Sequence, residues 1–437
     1  MIVKYEKMLC AIINWFVPKS NAISLQKKNS ILSVLMGAIA LCAMFYMSAP
    51  ISVHLLIKCV IGTLILGLII FFSINGEVKP VNWDKKIVTI WLIFGVFRLL
   101  SGIFVSREYL PLACVWLFVF PSLFLVWNNR KDYIDLFLAA YNGFVYPITL
   151  FIIASFFLVP ITDEAFGGLT GNPNAIGQLV CVLVPLVVYK YNEKSISLKG
   201  KVISVFFLGI SGTVIFYSRS RTTTLVVIGV IVFLITYTVF YKKESVMKIV
   251  RNLFVIILSS VVLTTGIARI NQEIFSREEK VENKNSMDGY VDRITGADKH
   301  NEGIENYSSG RTGIWKAVIR ETNILGHPSK EHIKTGRNGD VGANAHNNFL
   351  QFTYDNGVIA GVLFLMLIVL ASIKTLQNIQ KFDPEWELVL YVSVAYGIMA
   401  LVTSINLPFL YLMSFLYYIC FAPIFEGEKS DSEMLIY

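Results

Sequence analysis

The chain has 437 residues, of which 55% are hydrophobic and 16% are charged, and its formal net charge is +8. Soluble domains carry about 25% charged residues, so this composition excludes an ordinary soluble protein. The apolar residues gather in runs of about 18 to 25, the length that a helix needs to cross a bilayer. Because such a helix satisfies its own backbone hydrogen bonds, we predict an all-α, polytopic membrane protein.

Twelve candidate membrane spans follow one another along the chain. They lie near residues 31–49, 51–74, 87–105, 110–127, 134–159, 175–190, 202–218, 223–241, 252–270, 348–373, 387–405 and 407–424. Together they predict three regions. An N-terminal transmembrane region at 1–270 holds about nine spans, a large polar segment follows at 271–346, and a C-terminal transmembrane region at 347–437 holds about three spans and a short cytoplasmic tail.

Lysines and arginines in the short loops predict which side of the membrane each loop faces. With the N-terminus in the cytoplasm, alternation of the spans puts most of these cations on the cytoplasmic side, as the positive-inside rule requires. That side holds Lys79, Lys85, Lys86, Arg130, Lys131, Lys190, Lys194, Lys199, Lys201, Lys242, Lys243, Lys248, Arg251, Lys374 and Lys381. The short outer loops hold only Arg107, Arg219 and Arg221, and residues 271–346 lie outside. Topology therefore explains the net charge without a nucleic-acid partner.

Cysteine positions and sequence motifs argue against several kinds of site. The six cysteines lie in or near apolar spans, so no disulfide framework or thiolate metal site is expected in the outer segment. The sequence contains no internal repeat, Walker loop, HExxH motif or EF-hand pattern. We therefore expect a protein that uses no cofactor and no bound metal.

The outer segment has two parts with different patterns. Residues 271–309 are highly polar, which is typical of a solvated chain. In residues 310–325 apolar side chains recur at helical spacing, which predicts an amphipathic helix on the outer membrane face, with Ser309 as its N-cap. Arg311 then falls in the first turn, where a cation beside free backbone N–H groups favours an anion such as phosphate.

A pair of arginines lies between two spans at the predicted outer face, within residues 217–224. Charged residues at membrane depth are costly and usually have a reason. Arg219 and Arg221 either extend to lipid head groups or clamp a diphosphate, because a planar guanidinium matches two phosphate oxygens at once. Arg98, inside the third span, is interpreted as the partner of another polar group or as an outer-face contact, rather than as a catalytic residue.

A histidine lies where the polar segment meets the tenth predicted span, within residues 345–350. A lone histidine is usually structural, but His346 is flanked by asparagines whose amides can fix its tautomer or bind sugar hydroxyls. Unperturbed imidazole titrates near neutral pH, as a general base requires. His346 is therefore the candidate catalytic base, with Asn344 and Asn347 as supporting contacts.

Taken in order, these motifs resemble the O-antigen ligase and polymerase family of bacterial membrane glycosyltransferases. The matching stretches are Ser220-Arg221-Thr222, residues 309–315, Leu325-Gly326, residues 345–350 and residues 355–361. The resemblance implies a metal-independent, inverting transfer of glycan from undecaprenyl diphosphate, at the extracytoplasmic face of the bacterial cytoplasmic (inner) membrane. Arg221 and Arg311 match the arginines thought to hold the diphosphate, with Arg219 as a substitute for Arg221. His346 matches the histidine proposed to deprotonate the acceptor.

The acceptor divides this family. A polymerase joins oligosaccharide repeat units into O-antigen, capsule or exopolysaccharide, whereas a ligase transfers finished glycan to the lipid A core of lipopolysaccharide or to protein. We favour a polymerase, because residues 171–174 resemble members of that branch, and keep the ligase as the alternative. A flippase is less favoured, since the paired broken helices of transporters are not evident. Expected partners are the lipid-linked oligosaccharide, membrane lipid, and a chain-length regulator and flippase of the same pathway.

Overall fold

The computed structural model describes residues 1–48, 55–162, 164–193, 195–275, 311–329, 331, 333–334, 344–381 and 383–427. Within these ranges the regular secondary structure is helical, apart from an isolated antiparallel bridge between Trp83 and Glu426. The predicted all-α, polytopic class is confirmed. Most of the polar outer segment, including the predicted N-cap Ser309, lies outside the described residues.

The α-helices of the described residues are numbered α1 to α18 in chain order. They are Ile2–Asn14 (α1), Val17–Asn21 (α2), Leu25–Ser48 (α3), Leu55–Ser73 (α4), Lys85–Phe104 (α5), Leu110–Cys114 (α6), Phe120–Arg130 (α7), Tyr133–Leu158 (α8), Pro173–Tyr191 (α9), Leu198–Ser218 (α10), Arg221–Thr236 (α11), Val246–Phe275 (α12), Arg311–Glu321 (α13), Asn348–Asn356 (α14), Val358–Asn378 (α15), Pro384–Val402 (α16), Leu412–Ile419 (α17) and Phe421–Phe425 (α18). Among these residues, 11 helical segments are long and apolar enough to cross a membrane, and they correspond to the first eleven predicted spans.

Polar residues mark where several spans begin. Each of these side chains accepts a hydrogen bond from a backbone N–H in the first turn of its helix, which satisfies a donor that has no partner within the helix. The capping residues are Asp84, Asn172, Ser197, Ser220 and Asn347. The starts of α9, α11 and α14, which Asn172, Ser220 and Asn347 cap, lie at the same end of the bundle.

The tenth predicted span, near residues 348–373, is wrong at its N-terminal end, because two helices occupy that stretch. The short helix α14 ends at Gly357, whose φ of 90° and ψ of 164° break the helical path before α15 starts. Glycine adopts this conformation without steric cost. A Cβ at Gly357 would also lie 1.9 Å from the carbonyl oxygen of Ile324. The membrane span is α15, and α14 is a separate helix next to the polar segment.

The twelfth predicted span, near residues 407–424, is shorter than expected. A non-helical segment at 403–411 precedes it, and the apolar helical stretch is Leu412–Phe425, divided between α17 and α18. Every residue of Leu412–Phe425 is buried. A helix that is apolar on all sides is a core helix as readily as a lipid-facing one, so composition alone did not distinguish the two.

Aromatic side chains fill the core between α5, α7 and α17. The ring centroids of Trp91 and Trp116 are 3.9 Å apart, and the Trp91 Nε1 donates to the carbonyl oxygen of Trp116 at 2.8 Å.

Near the end of α5 the hydroxyl of Ser101 donates to the carbonyl oxygen of Leu325 at 2.7 Å. This contact fixes the end of α5 against the segment that joins α13 to α14.

The orientation in the membrane stays a prediction, and single-cysteine labelling tests it. We expect Ser286→Cys and Asn338→Cys, both outside the described residues, to react with a membrane-impermeant maleimide in intact cells, because the cationic loops mark the opposite face as cytoplasmic. Each substitution is made in a background without the six native cysteines. Lys199→Cys, in a predicted cytoplasmic loop, is the control and should label only after lysis. The reverse pattern would refute the orientation.

Candidate functional site

Three of the predicted site residues lie at or next to helix N-termini. Arg221 is the first residue of α11, Arg311 is the first residue of α13, and His346 directly precedes Asn347, the N-cap of α14. The pKa of Arg311 is lowered from its ordinary value by burial and, next, by the charge of Arg221. The pKa of His346 is lowered by burial and, next, by the charge of Arg311. These interactions show that the structure brings the three residues together.

The helix ends add to the positive potential of this site. An α-helix N-terminus carries roughly half an elementary positive charge and presents backbone N–H groups without intrahelical partners. Here the N-termini of α11, α13 and α14 accompany the two arginine side chains. Such an arrangement suits an anion with several oxygens, such as a phosphate or diphosphate.

Arg311 is anchored at the C-terminal end of α16. Its Nη1 donates to the carbonyl oxygen of Val402 at 2.5 Å, and the Nδ2 of Asn347 donates to the preceding carbonyl, that of Leu401, at 3.0 Å. Carbonyls in the last turn of a helix have no intrahelical partner, so both contacts satisfy acceptors that need one. The end of α16 therefore fixes the positions of a predicted clamp residue and of the α14 N-cap.

The N-terminus of α11 is held against α9. The Ser220 hydroxyl accepts from the Thr223 backbone N–H at 3.4 Å and donates to the Oδ1 of Asn174 at 3.1 Å. A Cβ at Gly177 would lie 2.1 Å from the Thr223 Oγ1, so the two helices approach closely here. Asn174, which the sequence offered only as part of a resemblance, therefore lies beside the helix that carries Arg221.

Arg219 differs from Arg221 in its position. It is the C-cap of α10, with φ 50° and ψ 31°, so its backbone ends one helix two residues before the next begins. The charge that acts on the pKa of Arg311 is that of Arg221. The position of Arg221 at the start of α11, together with this charge interaction, favours Arg221 over Arg219 as the companion of Arg311.

His346 also has an unusual backbone, with a φ of 45°. Its N–H donates to the Oδ1 of Asn344 at 2.9 Å, and the Oδ1 of Asn347 accepts from the N–H of Leu350 at 3.0 Å. The two predicted supporting asparagines therefore act on the backbone around the histidine. The lowered pKa favours the neutral imidazole, which is the form that is able to accept a proton.

Helix α13 packs on α14 through a small core of its own. This core contains Ala317, Val318, Ile333, Ala345 and Tyr354. The Trp315 Nε1 donates to the carbonyl oxygen of Ala345 at 2.8 Å. Ile319, on the same helix, is 65% exposed. The helix is thus attached to the chain next to His346.

Arg98, for which the sequence indicated no specific partner, is buried next to the site. Arg98 is 1% exposed, and its guanidinium carbon lies 5.2 to 5.8 Å from the ring centroids of Phe94, Trp116 and Phe352. Among the described residues, its Nε and Nη1 have no hydrogen-bond partner. Asp355 has a pKa raised to about 6 by burial, and the charge of Arg98 opposes that rise. A lone arginine in an apolar span was the one available signal for this group.

Comparison with known proteins identifies part of the chain. Residues 205–365 match a family model described as O-antigen ligase. No curated protein matches the chain significantly. The matched range contains Arg221, Arg311 and His346, and the family implies glycan transfer of the ligase or polymerase kind. Residues 205–365 are therefore similar to the O-antigen ligase family, which confirms over this part of the chain the resemblance to the O-antigen ligase and polymerase family.

Proposed function

We propose that this protein joins oligosaccharide repeat units that are linked to undecaprenyl diphosphate, at the extracytoplasmic face of the cytoplasmic membrane. The observation that carries the proposal is the grouping of Arg221, Arg311 and His346 at or next to helix N-termini. Two cations at helix N-termini fit a diphosphate, and an imidazole beside them fits a base for the acceptor hydroxyl.

The proposed reaction is a single displacement. His346 takes the proton of an acceptor sugar hydroxyl, whose oxygen forms a bond to the anomeric carbon of the donor. The bond from that carbon to the diphosphate oxygen breaks, and undecaprenyl diphosphate leaves with the electron pair. Attack opposite the leaving group inverts the anomeric centre. Arg221 and Arg311 stabilise the negative charge that grows on the diphosphate during bond breaking.

Donor binding also strengthens the proposed base. In the free protein the charge of Arg311 contributes to lowering the pKa of His346. A bound diphosphate supplies negative charge that offsets the arginines, and an anion near an imidazole raises its pKa. His346 therefore becomes a better proton acceptor once the donor occupies the site, which couples proton removal to the presence of a leaving group.

A ligase is the second candidate, because the matched family model is described as O-antigen ligase. The two activities share the donor and the leaving group and differ in the acceptor. In a polymerase the acceptor is another lipid-linked glycan, and in a ligase it is the lipid A core. A chain-length regulator and a flippase of the same pathway are proposed partners of the polymerase.

Product size and acceptor dependence test the proposal. Purified protein in lipid nanodiscs is incubated with undecaprenyl-diphosphate-linked repeat units, and the products are resolved by size. Longer lipid-linked glycans support the polymerase. Glycan transfer only after lipid A core is added assigns a ligase. Absence of any covalent product, together with movement of the substrate across a vesicle bilayer, would overturn glycan transfer in favour of a flippase.

A further inference from the structure

The backbone at His346 is held in a conformation that residues other than glycine rarely adopt, with φ at 45°. Such a conformation persists where surrounding contacts determine it, and it fixes where the side chain starts. The contacts that hold the preceding peptide are therefore part of the way in which this imidazole is aimed.

Both polar backbone groups of Ala345 are held by side chains from other elements. Its N–H donates to the Oε1 of Gln351 at 2.8 Å, and its carbonyl oxygen accepts from the Trp315 Nε1 at 2.8 Å. Ala345 itself is fully buried, with 0% exposure. The two peptide units on either side of Ala345, which lead into His346, are thereby each held by a side chain.

Asp355 determines which way the Gln351 amide points. The Nε2 of Gln351 donates to the Oδ1 of Asp355 at 2.8 Å, and the Oδ2 of Asp355 accepts from the Nδ2 of Asn406 at 3.0 Å. An ionised carboxylate only accepts hydrogen bonds, so the amide nitrogen of Gln351 must face it. The amide oxygen then faces Ala345, where an N–H donor requires an acceptor. Reversal of the amide would set donor against donor.

We propose that Gln351 and Asp355 form a positioning pair, which aims His346 by holding the Ala345 peptide. The inference rests on the proposed function of His346 as the base. Neither side chain touches the reacting atoms in this proposal, and both act through the backbone before the histidine. Arg98 lies below the pair, and its charge favours the ionised form of Asp355 that the arrangement needs, as the direction of its effect on the Asp355 pKa indicates.

Substitutions at Gln351 test the pair in purified full-length protein with undecaprenyl-diphosphate-linked repeat units as the substrate. Gln351→Leu removes the hydrogen bonds to Ala345 and Asp355, together with the one that the Ser404 hydroxyl donates to the Gln351 Oε1 at 3.4 Å, at similar volume. We expect kcat to fall about 10²-fold, because small misplacement of a reacting group has effects of that order, with little change in KM. Gln377→Leu, an exposed position on α15, is the matched control and should behave as wild type.

A reciprocal swap separates positioning from simple packing. Gln351→Glu alone keeps an acceptor for the Ala345 N–H but opposes a second carboxylate to Asp355, so kcat should fall. Adding Asp355→Asn restores the pairing in reverse, since the new amide donates to Glu at 351 and accepts from Asn406. We expect the double variant to recover most of the lost kcat. If the folded double variant is no better than Gln351→Glu, the positioning role is overturned.

A double-mutant cycle of Gln351 with His346 distinguishes failure of the positioning pair from failure of the proposed function. In a His346→Ala background, Gln351→Leu should cause no further loss of kcat, because a positioning residue has no effect once its target is absent. A further loss of similar size would overturn action through His346. If Gln351→Leu turns over normally and His346→Ala is inactive, the positioning role of Gln351 and Asp355 is overturned but the proposed base is not. Normal turnover of His346→Ala would overturn the proposed base, and the positioning inference with it.

Discussion

Alanine at Arg311 or at Arg221 is expected to abolish or sharply reduce glycan product while the protein still inserts and accumulates. Each substitution removes a charge-assisted contact to the diphosphate, worth about 1.5 to 3 kcal/mol, which corresponds to roughly a ten- to hundred-fold loss. The two losses need not add, because the pKa of Arg311 already responds to Arg221 and the residues therefore interact.

Lysine substitutions separate charge from shape. Lysine keeps the positive charge but lacks the planar fork of donors, so Arg311→Lys and Arg221→Lys should restore activity incompletely. Arg311 also holds the carbonyl oxygen of Val402, so Arg311→Ala should lower thermal stability as well as activity.

The control for these substitutions is Arg320→Ala on the same helix as Arg311. The Arg320 side chain is 67% exposed and pairs with its neighbour Glu321, so its loss should leave polymer length and yield unchanged. The measurement is the size distribution and amount of polymer, together with the amount of protein in the membrane. Normal polymer from the alanine variants at both Arg221 and Arg311 would show that the diphosphate contacts are wrong.

The spans were predictable because a long apolar run has few alternatives to a membrane helix. Their interruptions were not. The break at Gly357 depends on a φ of 90° and on close approach to Ile324, and a glycine in an apolar run is equally compatible with an unbroken helix. The buried stretch Leu412–Phe425 shows the same limit, since a core helix and a lipid-facing helix have the same composition.

The sequence indicated those candidate site residues whose type alone suggests a chemical role. Arginines at a loop and a histidine next to asparagines stand out in an apolar chain, so Arg221, Arg311 and His346 were identified. Their neighbours were not, because their contacts join distant parts of the chain. Asn174 reaches Ser220 across 46 positions, and Asn406 reaches Asp355 across 51. A polar amide in the sequence gives no sign of such a partner.

Alanine at His346 is expected to suppress glycan transfer while donor binding largely persists. Loss of a general base typically lowers the rate about 10²- to 10⁴-fold. Binding should survive better than turnover, because Arg221 and Arg311 remain to hold the diphosphate. The experiment compares kcat with the dissociation constant for undecaprenyl diphosphate in nanodiscs. Unchanged turnover in His346→Ala would exclude it as the base, and loss of binding equal to the loss of turnover would make it a donor contact.

The pH dependence of the wild-type protein gives an independent test of the same role. The active form of a base is deprotonated, and burial together with Arg311 lowers the His346 pKa below its ordinary 6.5. Activity measured as kcat/KM, which reports the free enzyme, should therefore fall only as the pH drops below about 6.5. Because a bound diphosphate raises the pKa, the acidic limb of kcat, which reports the complex, should lie at higher pH. Arg311→Gln should move the kcat/KM limb upward, since it removes the cation that lowers this pKa. If the acidic limbs of kcat and kcat/KM have the same midpoint, and Arg311→Gln does not shift that midpoint, the titrating group is not His346.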